Sequence, residues 1–420
     1  MKKPLAIIEI SSSKIKLLVS SVINNEPIIV YRTTRDITGA FVDGKIADKS
    51  IIVKALMSLK TIVDDSARIK LNINEVNLVL PCYGLTIFQT TKTTTTVSAN
   101  AGGSIAQIDI ENVINQVKNE NIPENLEVVE VAPSMFFLED GTKYSSAFAL
   151  IGAKSSRNLT VNAFLHCLPK GTKADYDSML TEAGFRVLRN SVQPYAEASL
   201  FKTNQFLPES YILLDFGDNN ANVSLIGKGM PYASTSFYIG GEHLAKAISE
   251  EMGIPSRTAF RLMVDRGFDP REISYDPPLV KKEESSNSEA YFQKDLNLII
   301  TSFFDEDFLP RLDAAISTLA KNSSTSLDSM PIIITGGMAQ LNNISSFFTS
   351  HYLNREIFLG FSKVVGGRDP SFTPLLGMTL ISSSFQGSLT DHEEGYSSIR
   401  REEKPVKAAK EKSSSLDDKM

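Results

Sequence analysis

The chain is poor in the residues that usually announce metal or redox chemistry. It has two cysteines in 420 residues, Cys82 and Cys167, far apart and without CxxC or metal-type spacing. Both close apolar runs, so buried thiols in a reducing cytoplasm are expected. The four histidines, His166, His243, His351 and His392, are scattered and read as structural or exposed residues rather than ligands. No apolar run approaches the roughly 20 residues of a membrane span. Lys2 and Lys3 precede an apolar stretch, but Glu9 and Ser11 to Ser13 interrupt it, so no signal peptide is expected. Positive charge is not in excess. A net charge of -6 argues against a general nucleic-acid binder. What remains is a soluble globular composition, 42% apolar and 22% charged. At 420 residues the chain is too long for one ordinary core and suggests two or three domains.

A strand-turn-strand unit occurs twice. The first copy is PLAIIEISSSKIKLLVSS, from Pro4 to Ser21, and the second is SYILLDFGDNNANVSLIG, from Ser210 to Gly227. In each, an apolar run ends in a carboxylate, Glu9 or Asp215. A turn of small polar residues follows, then a second apolar run. A third apolar segment comes later in both, at Pro27 to Tyr31 and at Ala233 to Ile239. A buried strand ending in an acid and a small-residue turn puts backbone N–H groups and one carboxylate at a strand tip, which suits a phosphate and its metal ion. Two such hairpins facing each other can clamp a nucleotide. Alone, Asp followed by Gly and Asn is often only a hairpin turn. A third element adds weight: MPIIITGGMAQLNNISSFF, from Met330 to Phe348, reads as strand, Gly-Gly turn and helix. Gly336 and Gly337 let the backbone approach a flat ligand closely. In this order, the three elements resemble the signature of the actin-like ATPase superfold, which implies a duplicated α/β fold of the ribonuclease H type.

Residues 1 to about 84 read as three strands, a helix from Ser50 to Asp65, and a short buried strand, VNLVLP. Composition then shifts. TIFQTTKTTTTVSA is Thr-rich and β-prone, Gly102-Gly103 and Ser104 mark a loop, and IDIENVINQVKNEN reads as an amphipathic helix. LEVVEVAP, SMFFLED and NLTVNAFLHCL read as three strands, so about 86–166 is expected to be an inserted αβ subdomain. Helices are expected from about Lys173 to Gly184 and from Gln193 to Lys202. After Gly240-Gly241 the pattern turns helical, with a polar loop from Asp276 to Phe292. A long amphipathic helix follows from about Phe292 to Asn322, kinked or divided at Pro310. Beyond about Gln386 the chain is polar and charged with no apolar face, and disorder is expected.

The position of the insert, directly after VNLVLP, resembles FtsA, the bacterial actin-like cell-division family. TGAFVDGKIADKSIIVKAL, VVEVAPSMFFLEDG, AGFRVLRNSVQPYAEASL, SFYIGGEHLAKAI and IIITGGMAQLNNI are similar to that family's stretches in the same order. The resemblance runs from residue 1 to about 385 and rests on pattern and order more than on identities. It implies subdomain 1A at 1–85 and 167–208, the insert 1C at 86–166, 2A at 209–243 and 328–387, helical 2B at 244–327, and a tail at 388–420. It implies ATP and magnesium as ligands. The nucleotide would meet Glu9, Ser11, Ser12, Ser13, Lys14, Asp215, Gly217, Asn219, Asn220, Gly240, Gly241, Gly336, Gly337 and Met338, with Glu9 and Asp215 serving the metal. It also implies self-assembly into filaments, and a contact with the C-terminal peptide of the tubulin-like protein FtsZ. FLPRLDAAI is similar to the segment that carries that contact, which puts Arg311 at the family's basic position. The implied location is cytoplasmic, at the division site on the inner face of the membrane.

The departures bear on nucleotide chemistry. Glu9 stands where the family normally has Asp. DFGDNNAN, from Asp215 to Asn222, stands for Asp-Ile-Gly-Gly-Gly-Thr-Thr-Asp, so Asp218 and Asn219 replace two glycines. A carboxylate aimed at a triphosphate repels it unless a metal lies between. Phe260 and Met263, with Arg261 between them, fall where Glu and Lys usually meet ribose and base. The position of the water-orienting Gln falls near Tyr195, flanked by Gln193 and Glu197. Hydrolysis needs a group to orient water, so at most a very weak ATPase is expected, with no catalytic residue assigned. The family's tail ends in an amphipathic membrane helix. Here Ile399, Val406 and Leu416 are too far apart for an apolar stripe, so membrane contact is expected to be indirect or absent. Two other readings of the superfold stand beside the cytoskeletal adaptor. One is a pilus-assembly adaptor with a similar insert and a different peptide partner. The other is a small-molecule kinase, which needs a spare catalytic Asp at the cleft.

Overall fold

The computed structural model describes residues 3–42, 44–64, 69–97, 103–154, 157–271, 276–281, 290–321, 323 and 326–385. The charged segment expected to be disordered lies outside the described residues, as do residues 282–289 of the polar loop.

Two five-stranded sheets repeat one plan. In the first, the order is Arg186–Val192, Glu75–Leu80, Leu5–Ile10, Lys14–Ile23, Glu26–Asp36. In the second it is Ile357–Leu359, Ile332–Thr335, Ser210–Phe216, Ala221–Gly227, Met230–Phe237. Each has an antiparallel three-stranded meander joined through its first strand to two parallel strands. The first strands, Leu5–Ile10 and Ser210–Phe216, are central and apolar on both faces, as strands covered on both sides must be. Side chains alternate between faces. Ala6, Ile8 and Ile10 join the outer core of the first sheet, while Leu5 and Ile7 face the middle of the molecule. Likewise Ile212, Leu214 and Phe216 point outward, and Tyr211 and Leu213 inward. The alternation therefore puts both Glu9 and Asp215 at the end of an inward row.

Two crossed helices fill the middle. Thr373–Phe385 packs on the first sheet, through Leu375, Leu376 and Met378. Gln193–Phe201 lays Ala198 and Phe201 on the second sheet and Ala196 and Leu200 on the first cluster. They meet where Gly377 lies against Ala196: a Cβ on Gly377 would fall 1.7 Å from the Ala196 carbonyl oxygen. Only glycine allows that approach.

A four-stranded antiparallel sheet is inserted after Leu80. Its order is Lys143–Tyr144, Leu126–Leu138, Asn158–Pro169, Thr86–Thr95, and the helix Gln107–Lys118 covers one face. Thr86–Thr95 alternates between half-buried and exposed positions along much of its length, the pattern of an edge strand with one solvated face. Glu130 ties the insert to the first sheet. One of its oxygens accepts from Ser191 Oγ at 2.9 Å and from the Val192 amide at 3.2 Å, and lies 2.8 Å from His166 Nδ1.

Three elements differ from the sequence reading. The helix expected to reach Asp65 is Lys49–Met57, followed by a hairpin, Thr61–Asp64 with Ile69–Asn72. The β-branched run Thr61, Ile62, Val63 favours the strand. LEVVEVAP and SMFFLED form one strand, Leu126–Leu138, with bulges at Val128/Glu130 and Pro133/Met135. Bulges let a proline remain inside a strand. The long helix runs as Gln293–Ser302, a π-helical turn Phe303–Phe308, and Leu309–Lys321. The π turn absorbs Pro310, which cannot donate an intrahelical bond. The same turn packs Phe304 and Phe308 against Phe216, with ring centroids 6.1 and 4.3 Å apart, and so anchors the residue after Asp215.

Candidate functional site

The tips of both hairpins open into one cleft of about 430 Å³. In the first hairpin the ladder pairs Ile10 with Ile15 and Glu9 with Lys16. Cross-strand partners on one face sit close enough to interact, and Lys16 Nζ lies 3.1 Å from Glu9 Oε1. The same ammonium donates to the Ser371 carbonyl at 2.7 Å, just before the helix Thr373–Phe385. Glu9 Oε2 is buried without a hydrogen-bond partner. Burial pushes the Glu9 carboxyl above its ordinary range, and Lys16 pulls it part of the way back. Burial alone would lower the Lys16 ammonium, but Glu9 and Asp215 outweigh it and hold the proton above the usual lysine range. The turn is closed by Ser11, whose amide and hydroxyl both donate to the Lys14 carbonyl, at 2.9 and 2.8 Å.

The second hairpin has the same register, Phe216 with Ala221 and Asp215 with Asn222. Its acid has amide partners. Asn222 Nδ2 donates to Asp215 Oδ2 at 3.3 Å, and Gln193 Nε2 donates to the same oxygen. Gln193 Oε1 accepts from Asn222 at 3.4 Å. Burial raises the Asp215 carboxyl, opposed by Lys16 and by its Asn222 and Gln193 bonds. Glu197, one turn along the helix from Gln193, is 1% exposed. Its carboxyl is pushed well up by burial and then by Asp215 and Glu9. Cys82 also lines the cleft, with its thiol pushed far up by burial, so it is an inert wall group. Cys167 is buried in the inserted sheet, and burial pushes its thiol up to about 11.

The hairpins touch each other. Ser13 Oγ donates to Asp218 Oδ2 at 2.6 Å, and Lys14 Nζ lies 3.6 Å from that oxygen. The backbone under Asp218 is pinned: its carbonyl accepts from the Glu242 amide at 2.8 Å, and the Gly217 carbonyl from the Gly241 amide at 3.1 Å. Gly336 closes the site from the third element. It has φ +85°, and a Cβ there would lie 2.2 Å from Asp215 Oδ1. The far wall is apolar, with Phe260, Met263 and Val264 from the helix Ser256–Arg266 and Met338 and Leu341 beyond the Gly-Gly turn.

The structure brings Glu9, Ser11, Ser12, Ser13, Lys14, Asp215, Gly217, Asn220, Gly336, Gly337 and Met338 to the cleft lining. Asn219 is buried beside it with Oδ1 unpartnered, and Gly240 and Gly241 pack behind Asp218 and Met338. Arg311 is elsewhere, on the helix Leu309–Lys321, half-exposed and bonded to the Asp307 carbonyl at 2.6 Å. Tyr195 turns away to pack on His166, ring centroids 5.2 Å apart. Gln193, two positions earlier, is the residue of that segment that reaches the cleft. Lys16 and Asn222 were not singled out from sequence. The signal for both was register, since each lies seven positions after its acid.

This arrangement tests the fit of a magnesium triphosphate. Lys16 already supplies a positive charge to Glu9 and Asp215. Among the described residues no grouping of three or more acidic, His or Cys side chains could hold a metal. Ser13 and Lys14 are engaged with a carboxylate of the chain itself. The apolar wall and the Gly-Gly turn suit a flat ligand. The phosphate end does not fit a metal-bound triphosphate.

No known family profile matches the chain. Among solved structures it is similar to a PilM-PilN type IV pilus biogenesis complex, with TM-score 0.54 and 14% identity, covering 90% of this chain and 98% of that one. It is also similar to MreB 5 of Spiroplasma citri bound to AMPPNP, with TM-score 0.52 and 11% identity, covering 93% and 100%. The duplicated sheets, the crossed helices and these neighbours define an actin-like ATPase fold, here with an inserted αβ sheet. In sequence the chain is 22% identical to the cell division protein FtsA of Staphylococcus epidermidis over 387 residues, 92% of this chain and 80% of that protein. FtsA from a second strain of that species is 21% identical over the same length. Its similarity to FtsA thus runs along most of its length, at low identity. No helix among the described residues is long and apolar enough to cross a membrane.

Proposed function

We propose that this chain is an actin-like adaptor of bacterial cell division, acting at the division site on the inner face of the membrane. It binds the C-terminal peptide of FtsZ through the helix around Arg311, and it self-associates through its inserted sheet. The cleft ligand is of nucleotide class and clamps the two sheets together. It is a structural ligand, and hydrolysis is negligible. The observation that carries the reading is similarity to FtsA along 92% of the chain. The cleft chemistry agrees with an adaptor rather than a kinase. Each acid at the hairpin tips is engaged by the chain itself, Glu9 by Lys16, Asp215 by Asn222 and Asp218 by Ser13, which is a structural use of these carboxylates. Similarity to the PilM-PilN structure supports a second reading, a pilus-assembly adaptor that takes a different peptide.

Fluorescence anisotropy with the FtsZ C-terminal peptide separates the two. The expected result is saturable binding that Arg311→Glu weakens at least tenfold, the loss of a charge-assisted contact of about 1.5–3 kcal/mol. No binding to that peptide, together with binding to the cytoplasmic peptide of a pilus-assembly partner, would establish the second reading instead.

A further inference from the structure

We propose that Asp218 is a built-in substitute for a terminal phosphate, and that the cleft accepts a nucleoside lacking β- and γ-phosphates rather than a magnesium nucleoside triphosphate. This rests on the reading of the cleft as a nucleotide-class site.

A hydroxyl and an ammonium at a hairpin tip are the donors a terminal phosphate would use. In this chain both point at Asp218: Ser13 Oγ at 2.6 Å and Lys14 Nζ at 3.6 Å. The carboxylate is positioned by its backbone. The Asp218 carbonyl is held by the Glu242 amide, and the preceding carbonyl by the Gly241 amide, so the turn cannot swing aside without breaking the start of the helix Gly241–Met252. The side chain is 27% exposed, which leaves little water to screen it. A phosphate arriving here would lose its two donors to Asp218 and meet a like charge at the same point.

Beyond Asp218 the cleft is open. A Cβ on Gly337 would meet nothing nearer than Asp218 Oδ1, at 3.8 Å. Phe260, Met263 and Met338 line the same cleft as Gly337. The whole cleft, about 430 Å³, lies within the range of about 300–1,000 Å³ usual for small-molecule sites. An apolar wall above a glycine turn takes a flat heteroaromatic ring. The same Ser13–Asp218 contact joins the two hairpins, so it does without ligand what a bound phosphate chain does when it bridges them.

Calorimetry on the full chain tests this, with adenosine, guanosine, their monophosphates, and ATP and GTP with magnesium as probes. In the wild type, one nucleoside or its monophosphate is expected to bind at least tenfold tighter than the matching magnesium triphosphate. Asp218→Gly is expected to raise triphosphate affinity at least tenfold while nucleoside affinity stays within about threefold. Ser13→Ala cuts the tie between hairpins but keeps the carboxylate, so it should speed hydrogen exchange in the hairpin turn without any gain in triphosphate binding. Equal affinity of the wild type for nucleoside and triphosphate would overturn the proposal and leave the nucleotide reading standing. So would a triphosphate gain in Ser13→Ala as large as in Asp218→Gly, or no gain in Asp218→Gly while nucleoside still binds. Absence of binding by every probe, in wild type and variants alike, would remove both.

Discussion

In the first hairpin Glu9 faces Lys16 across the ladder; in the second Asp215 faces Asn222 at the same register. The backbones are near copies and the chemistries are opposite. One buried acid is answered by a charge at 3.1 Å, the other by two amides. A charge pair is the riskier device. Taking both ions from water is costly, and losing one partner leaves the other stranded. An amide partner gives less and leaves less behind. The two hairpins also divide the work of the cleft. The first supplies the one buried ammonium among its described lining residues; the second supplies the carboxylate that the turn of the first grips. A duplicated unit has thus become a complementary pair.

The sharpest way to break this comparison is to remove the charge. Lys16→Met keeps the apolar stem and deletes the ammonium. It leaves Glu9 and Asp215 facing each other without a cation, and about 3–5 kcal/mol of stability should go. Urea unfolding of the variant measures it. Adding Glu9→Gln should recover most of the loss, because the stranded charge is then gone. If Lys16→Met costs less than about 1 kcal/mol, a margin typical of solvent-exposed pairs, the pair is wetter than its burial indicates. The matching change in the second hairpin, Asn222→Ala, should cost less, about 1–3 kcal/mol, since Gln193 still donates to Asp215. Equal losses from the two changes would mean that the hairpins differ in residue type but not in energetics.

How much of this could be read beforehand follows from range. The acid-tipped hairpins, the Gly-Gly turn and the place of the insert are local patterns, and they led to the fold. The cross-strand partners were one step away. A four-residue turn fixes the pairing, so Lys16 and Asn222 followed from the register once turn length was known. Lys16 was hidden because KIKLLVSS reads as one apolar run. The Ser13–Asp218 contact was out of reach. It joins residues 205 positions apart, and only the packing of two sheets on two crossed helices brings them together. Sequence marked Asp218 as a departure from a glycine pattern, but gave no sign that its partner would be a serine of the other hairpin. The same limit applied to Gln193, whose reach to Asp215 depends on how its helix docks on the second sheet.

The smallest expected effect tests what lies behind the second hairpin. Glu197 has Gln193 Nε2 at 3.5 Å as its hydrogen-bond donor, and it sits with Asp215 and Glu9 in one buried group. Burial first, and then those two acids, hold its carboxyl well above the ordinary 4.5. The folded chain therefore keeps this proton to higher pH than the unfolded chain does. Its contribution to stability is full below the ordinary glutamate range and is lost as pH rises through the raised value. Glu197→Gln keeps the shape and an acceptor for Gln193 but has no proton to lose. Urea midpoints for variant and wild type should nearly coincide near pH 4.5 and separate as pH rises. At pH 8 the variant should be the more stable by on the order of 1 kcal/mol. Should the variant be less stable at both ends, Gln193 and Asp215 need a true carboxylate at 197, and the second hairpin would depend on charge as much as the first.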